Sequence, residues 1–435
     1  MFRRRNLLAL IARSVEDRSS RGIAAAVSRL VTAGDLPSGT RLPTVRDVAR
    51  ELRVSPTTVS EAWQSLLRAG AIQTRGRSGT FVAALDRPRL RYTQLGGPSL
   101  ARDLSSGVPD HDLLPDLTDA LQRIGDGRLT SSYLDAPVLP ALEDVLRERW
   151  PFPPEAVTVV DGALDALDRI IGAVVRFGDR VVVENPTFPP LLDLLDAVGA
   201  TVIELSPGAF DADPVAVFLQ PRAQNPTGAS MSAERAAELA ALLAKHPDVI
   251  VVEDDHAGDI ATAAPVSIGS DRTVHIAGFS KSHGPDLRLA AIGGPARLIE
   301  AVTSRRLLGP GWSSRLLQGV LLDLLTSPTS IAQVAAARSE YARRRSALLA
   351  CLAEHGVEAT AEDGINLWLT VHNQQHALVT LAAHGISVAP GGPFMVTPSA
   401  IDHVRVTAGL VADGFDELAS ILASAAHRTE NRRFR

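Results

Sequence analysis

Lys281 stands out because the chain otherwise avoids its residue type. Of 44 basic residues only Lys245 and Lys281 are lysine, and the other 42 are arginine. Arginine keeps its proton in a protein and cannot attack a carbonyl, whereas a lysine can once its site lowers its pKa. Lys281 lies in AGFSKSHGPDLRLAAIGG, residues 277–294. Ser280 puts a hydroxyl beside the amine, and Arg288, seven residues on, suits a bidentate phosphate contact. Gly278 and Gly284 let the backbone approach a ligand closely. Residues 273–277 read as a buried strand, so Lys281 follows a strand's carboxyl end, where open α/β sheets bind ligands. An amine and a phosphate clamp together point to pyridoxal phosphate; the plain alternative is a surface lysine in a glycine-rich turn. Lys245, between ELAALLA and His246-Pro247, reads as a solvated helix end and is the internal comparison.

The elements that must position these groups show the same punctuation. Residues 157–160 are an apolar run followed by Asp161-Gly162-Ala163-Leu164, which opens a helix and makes a phosphate-ready N-terminus. Residues 180–183 lead into ENPTFPP, 216–219 into QPRAQNPTG and 249–252 into EDDH, and the lysine strand comes last. Apolar runs alternating with helix patterns from about residue 103 predict a mostly parallel sheet covered by helices, an α/β fold. The polar loops of such a sheet can converge on one edge. Each residue also has an ordinary reading. NPTG is a common turn, Asp254 a solvated strand end, Phe188 between prolines a core residue, and Arg405 in HVRVTAG an ion-pair partner. Their order around one of only two lysines sets them apart.

The net charge of −5 hides an asymmetry. Residues 1–91 hold 17 arginines against 7 acids, so this part carries +10 and the remainder −15. A basic amino-terminal module on an acidic body points to nucleic acid. Residues 21–34 form an amphipathic helix with Ile23, Val27, Leu30 and Val31 on one stripe. Thr44 and Asp47 have capping-box spacing, which starts a helix near Val45 that ends around Leu52. After the turn 53–55, Ser55 caps a second helix with Pro56 at its first position, running to about Ala69 and stopping at Gly70. Two short capped helices joined by a tight turn are helix-turn-helix geometry. Residues 71–74 and 80–83 then pair as a hairpin around Arg75, Gly76, Arg77, Ser78 and Gly79, a basic wing.

The motifs GDLPSGTRLPTVRDVA, VSPTTV and SGTFV make this module resemble the winged helix-turn-helix of GntR-type regulators, over about 65 residues. That resemblance implies binding to double-stranded DNA. Arg46 contacts it, Thr57, Thr58 and Ser60 face the groove, and Arg75 and Arg77 reach the backbone or minor groove. Pro56 departs from the family, which often has arginine there. The alternative is a helix-turn-helix used for protein contact.

The motif order of the body resembles fold-type I pyridoxal phosphate enzymes of the aminotransferase class I/II family, over most of residues 103–425, with a smaller carboxyl-terminal subdomain. Behind a GntR-type module, the chain looks like a MocR-type regulator. By this resemblance Lys281 forms the internal aldimine, and Arg288 and Ser280 bind the cofactor phosphate with the amides of Gly162, Ala163 and Leu164. Asp254 pairs with the pyridine nitrogen, Asn225 bonds the ring 3-hydroxyl, Phe188 stacks on the ring, and Tyr133 reaches toward a partner subunit's cofactor. Arg405 occupies the place that grips a ligand carboxylate. His256 stands where many relatives have tyrosine; a histidine can still donate to the ring oxygen. Gly278 replaces a hydroxyl residue, and the stretch from Leu205 to Ala216 is shorter than usual.

These readings divide the chain into a DNA-binding domain at 1–83, a linker at 84–101, the aminotransferase-like domain at 102–427 and a basic tail at 428–435. No metal site is assigned. Cys351 reads as a buried structural thiol and excludes an internal disulfide framework. No apolar run approaches the roughly 20 residues needed to span a bilayer. The opening MFRRRNLLALIARS mimics a signal peptide, but Arg13 interrupts its apolar run and no small-residue cleavage site follows. A cytoplasmic protein with no membrane contact is expected. The helix around 337–350 is expected to present Arg343–Arg345 on a solvated face. Three functions compete. The first is a regulator whose body senses an amine, an amino acid or pyridoxal phosphate through aldimine exchange at Lys281. The second is a working aminotransferase carrying a DNA-binding domain, and the third a DNA-binding scaffold without the cofactor. The family further implies a homodimer.

Overall fold

The structure, a computed structural model, describes residues 2–37, 39–68, 71–74, 79–82, 90–95, 100–125, 132, 135–269 and 271–427. Arg75, Arg77 and Tyr133, Gly70, most of the expected linker and the tail from 428 lie outside the described residues. Contacts group the chain into two units: Met1–Leu90 with Val175–Arg180 and Leu195–Thr201, and all the rest.

In the first unit, α1 (Phe2–Ser14), α2 (Ser20–Thr32), α3 (Val45–Leu52) and α4 (Pro56–Arg68) enclose Ile11, Ile23, Val27, Val48, Leu52, Val59, Trp63 and Leu66. The apolar stripe read on α2 is the face it buries, although Val31 is only partly covered. Thr44 accepts from the Asp47 N–H at 3.2 Å, so α3 starts where its capping pair requires. It stops at Arg53, whose left-handed backbone (φ 56°) turns the chain toward α4. Ser55 caps α4 by accepting from the Thr58 N–H at 3.0 Å. Ser55→Ala should therefore cost this unit about 1 kcal/mol, read as a lower denaturant midpoint; an unchanged midpoint would remove the cap from this account. Strands β1 (Ile72–Thr74) and β2 (Thr80–Val82) pair antiparallel with Ile72 opposite Val82. Helix α1 was not foreseen; it buries Ile11 and packs against α2 and α3.

The second unit opens with the short helix Arg91–Leu95, followed by β3 (Arg102–Asp103). Its main sheet comprises β4 (Ala156–Val160), β5 (Arg180–Val183), β6 (Thr201–Glu204), β7 (Ala216–Leu219), β8 (Ile250–Asp255), β9 (Thr273–Gly278) and β10 (Ala290–Gly294). Among the described residues the order is β4-β10-β9-β8-β7-β5-β6. Strands β5, β7, β8 and β9 run parallel, and β10 runs antiparallel to both β9 and β4. Hence β4, β5, β7, β8 and β9 all point the same way, and the loops after them share one edge. Strand β8 is longer than its apolar run predicted: Glu253, Asp254 and Asp255 are paired strand residues opposite His275, Ile276 and Ala277.

A second sheet, of β11 (Ala359–Thr360), β12 (Leu367–Val371), β14 (Ala389–Pro390) and β15 (Asp402–Val406), is antiparallel in the order β11-β12-β15-β14. It packs Leu367, Leu369, Val404 and Val406 with Leu348, Leu352, Leu418 and Leu422 of the helices Pro328–Glu354 and Phe415–Ala426. Strand β13 (Ile386–Ser387) pairs in parallel with β3. That pairing steers Leu104–Gly107 toward β15: Thr407 donates its N–H to Leu104 O at 2.8 Å, and Gly107 N–H donates to Thr407 Oγ1 at 2.9 Å. One expectation fails in helix Pro328–Glu354. Only Arg343 is solvated; Arg344 and Arg345 are buried. Arg344 pairs with Asp110 and Glu340, and Arg345 donates to Gly364 O at 2.7 Å. These two guanidiniums tie the long helix to the start of the unit and to the second sheet. No single described helix is long and apolar enough to cross a membrane.

Candidate functional site

Lys281 follows β9 and donates from Nζ to the carbonyl of Gly107. Burial first, and the positive Arg405 second, push its amine down to about 8. Gly107 sits at φ +64°, and a Cβ there would lie 3.1 Å from the guanidinium nitrogens of Arg405. Only glycine lets this backbone pass between the two cations. Arg405, from β15, is 2% exposed and donates to Ser105 O and to Asn225 Oδ1, the latter at 3.2 Å. Its guanidinium also lies over the Phe394 ring, 5.2 Å from the centroid. Asn366 reaches the same Asn225 oxygen at 3.5 Å. With that oxygen engaged, the group Asn225 can offer a ligand is its NH2 donor.

Asp254, near the end of β8, faces the interior at 5% exposure. Its Oδ2 accepts from the Gln220 amide at 2.8 Å, while Oδ1 is buried with no hydrogen-bond partner among the described residues. Burial raises its pKa to about 6 against the pull of the Gln220 bond. An unmatched carboxylate oxygen in such a place suits a cationic N–H. Phe188 lines a small internal cavity together with Asp254, Gln220 and Glu184. His256 requires a correction. Its Nε2 lies 2.9 Å from the Ala223 carbonyl, which only accepts, so the ring donates there. Burial first, then Lys281, push its pKa down to about 4, so it is neutral and has one N–H. The proton expected for a ligand oxygen is thus committed to Ala223, and Nδ1 is an acceptor. Ala223 turns its carbonyl this way at φ +48°, a left-handed conformation for a non-glycine residue.

The anion cradle lies at the start of helix Ala163–Val174. Gly162 has φ +100°, and a Cβ on it would sit 3.4 Å from the Arg288 guanidinium, which donates to Asp161 O at 3.3 Å. The first-turn amides and Arg288 therefore converge. Ser280 is half-buried directly before Lys281, and Ala163 and Leu164 contribute no side-chain donor. A feature absent from the sequence reading is the carboxylate of Asp161 beside this cradle. Its charge is met by Arg306, 1% exposed, which pairs with Asp161 and Asp165 at 3.2 Å each, while Ser313 donates to Asp161 Oδ1 at 2.6 Å. Unpartnered Asp254 Oδ1, the Gly162–Arg288 cradle and the lowered Lys281 amine together fit pyridoxal phosphate. Gln220, Glu184, Gly107 and Arg306 were missed; for the first two the signal was a polar residue directly after an apolar strand run. Among the described residues, no group of three or more His, Cys, Asp or Glu could hold a metal ion.

In the first unit, Arg46 on α3 and Thr57 on α4 are exposed, and Ser60 is half-buried. Thr58 is half-buried too, with its hydroxyl 2.8 Å from Ser55 Oγ, so part of its bonding goes to the cap. Arg41, unremarked in the sequence, lies against Gly79, whose added Cβ would meet its Nε at 3.1 Å. It brings a further positive charge to the base of the wing.

Comparison with known proteins matches residues 102–422 to aminotransferase class I and II and residues 19–82 to the bacterial regulatory proteins of the gntR family. The vitamin B6 salvage pathway transcriptional repressor PtsJ of Salmonella typhimurium is 34% identical, over 96% of this chain and 100% of its own. The HTH-type transcriptional regulator TauR of Rhodobacter capsulatus is 28% identical, over 85% of this chain and 88% of its own. Among solved structures, aspartate aminotransferase from Thermus thermophilus with maleate superposes with a TM-score of 0.66 at 23% identity, covering 75% of this chain and 92% of its own.

Proposed function

Because the chain belongs to the MocR-like regulators, in which a gntR-family DNA-binding module is joined to an aminotransferase class I and II domain, we propose that it controls transcription through pyridoxal phosphate held at Lys281. The observation that carries this reading is the coincidence, at one sheet edge, of a lowered amine at Lys281 and an unmatched carboxylate oxygen at Asp254. Bound pyridoxal phosphate supplies an aldehyde carbon open to exchange between amines and a ring that withdraws electrons. Lys281 holds it covalently, and with its pKa lowered to about 8 its neutral form is a minority near neutral pH but far more abundant than for an ordinary lysine. Asp254 offers Oδ1 to the ring nitrogen and Asn225 its NH2 to the ring oxygen, while His256 can only accept. Phe188 covers the ring. Arg288, Ser280 and the amides of Gly162, Ala163 and Leu164 hold the phosphate, with Arg306 cancelling the charge of Asp161. Arg405 turns its fork to a ligand carboxylate, exchanging the Ser105 and Asn225 oxygens for it.

In this reading residues 1–83 bind double-stranded DNA and 102–427 form the sensing body, joined by 84–101. Arg46, Thr57, Thr58 and Ser60 meet the duplex, with Arg75 and Arg77 on its backbone or in its minor groove. The protein acts in the cytoplasm as a homodimer, with Tyr133 near the partner's site. The ligand sensed is an amine or amino acid, or pyridoxal phosphate itself; the name of the relative PtsJ, a vitamin B6 salvage repressor, favours the last. Turnover as an aminotransferase is the alternative, since it starts from the same groups. A visible absorption spectrum of the purified protein, titrated with pyridoxal phosphate and then amines and followed for keto-acid product, tests both. A spectrum indifferent to pyridoxal phosphate would reject the reading, and steady keto-acid release would move it to catalysis.

A further inference from the structure

Gln220 follows β7 directly, where the apolar run AVFL ends. Its backbone N–H donates to Glu184 Oε2 at 2.8 Å, and its side-chain amide nitrogen donates to Asp254 Oδ2 at 2.8 Å. Its amide oxygen accepts from the backbone N–H of Asn225 at 2.9 Å. One residue thus joins the ends of β5, β7 and β8 to the turn that carries Asn225. Gln220 and Asn225 are each 7% exposed and Asp254 is 5% exposed, so each of these bonds is costly to leave unmade. A primary amide can donate to a carboxylate and accept from a backbone N–H at once; neither an ionised carboxylate nor an alkyl group can. By taking Oδ2, Gln220 also decides that Oδ1 is the oxygen Asp254 has left to offer.

We propose that Gln220 is a positioning residue that locks Asp254 and Asn225 into one rigid unit, with the Glu184 carboxyl behind it as anchor. This rests on the pyridoxal phosphate reading of the site. Glu184 is partly buried, and desolvation with the nearby Asp254 carboxylate pushes its pKa up to about 8. At neutral pH it therefore keeps its proton, and Asp254 carries the charge of the pair. The other titratable groups acting on Asp254 are Asp255, next in the strand, and His275 on β9. As pH rises through about 8, Glu184 ionises and adds a second negative charge near Asp254, which favours a protonated nitrogen on a ring held by Asp254.

The test loads wild type, Gln220→Leu, Gln220→Glu and Glu184→Gln with pyridoxal phosphate. It follows affinity and visible spectrum over about pH 6–9, with thermal unfolding of the unloaded proteins as a check on folding. Gln220→Leu should lose about tenfold or more in affinity, as expected for a lost hydrogen bond to a charged group, and should shift the pH titration of the visible band. Gln220→Glu has matching shape should the leucine variant not fold. It must keep a proton to hold Asp254, so its affinity should fall as pH rises. Glu184→Gln should remove the spectral step near pH 8. A folded Gln220→Leu, or a Gln220→Glu, with wild-type affinity and wild-type pH titration would overturn the assignment. Failure of wild type to take up pyridoxal phosphate is a separate result, and it would overturn the underlying reading together with this one.

Discussion

Lys281→Ala is expected to carry no covalently attached pyridoxal phosphate. Borohydride should trap no reduced adduct on the variant, and the visible band of loaded wild type should be absent. The reason is chemical: of two lysines, Lys281 alone combines a lowered pKa with a position at the carboxyl edge of the main sheet, and no arginine can replace its amine. Lys245 is exposed at the end of helix Ala233–Leu243, so Lys245→Ala should leave adduct and band intact. The pH dependence has a definite sign. The neutral amine is the attacking form, so covalent uptake by wild type should rise with pH and level off above about 8. A pyridoxyl-lysine recovered from Lys281→Ala would place the attachment elsewhere and undo the site.

Arg405 should decide whether a carboxylate is recognised. It is buried, its burial lowers its pKa to about 10, and the carboxylate of Asp103 only partly offsets this. Such a guanidinium gains most from a carboxylate that brings a full negative charge. An amino acid that changes the visible band of wild type should do so about 100-fold less tightly with Arg405→Ala, the loss expected of a charged hydrogen-bond pair. Arg405→Lys should rescue little of it, because a point charge does not reproduce the fork. An amine without a carboxylate should be affected much less. Spectral titrations of the three proteins with an amino acid and its decarboxylated amine separate these cases. Equal losses for both ligands would mean that Arg405 supports the site without reading the carboxylate.

Local chemistry made much of this fold legible in the sequence. Thr44, Ser55 and Pro56 set helix starts through bonds within three residues, and apolar runs of four or five residues marked β4, β5, β7 and β9. What stayed hidden depends on partners far away in the chain. Arg344 and Arg345 look like solvated helix residues until Asp110 and Gly364 arrive, 234 and 19 residues distant. The commitment of the His256 N–H depends on a left-handed Ala223, 33 residues away. Strand β10 escaped notice because its small residues AAIGG read as part of the lysine turn, and its antiparallel pairing with both β4 and β9 is a tertiary choice. Candidate site residues were recognisable by type and order; Gln220, Glu184 and Arg306 were not, because they touch the site through other side chains.

Sensing requires that occupancy of Lys281 changes affinity for DNA, and this is most directly measured by binding isotherms. The duplex is one the protein selects from random sequence, and wild type and Lys281→Ala are each titrated with and without pyridoxal phosphate. A ligand moves such an equilibrium only through its different affinity for the two states, and couplings of about 1–3 kcal/mol are usual. Wild type should therefore shift about fivefold or more on loading, while Lys281→Ala should bind the duplex equally with and without the cofactor. A wild type that is fully loaded by its visible spectrum, yet binds the duplex with unchanged affinity, would contradict the account.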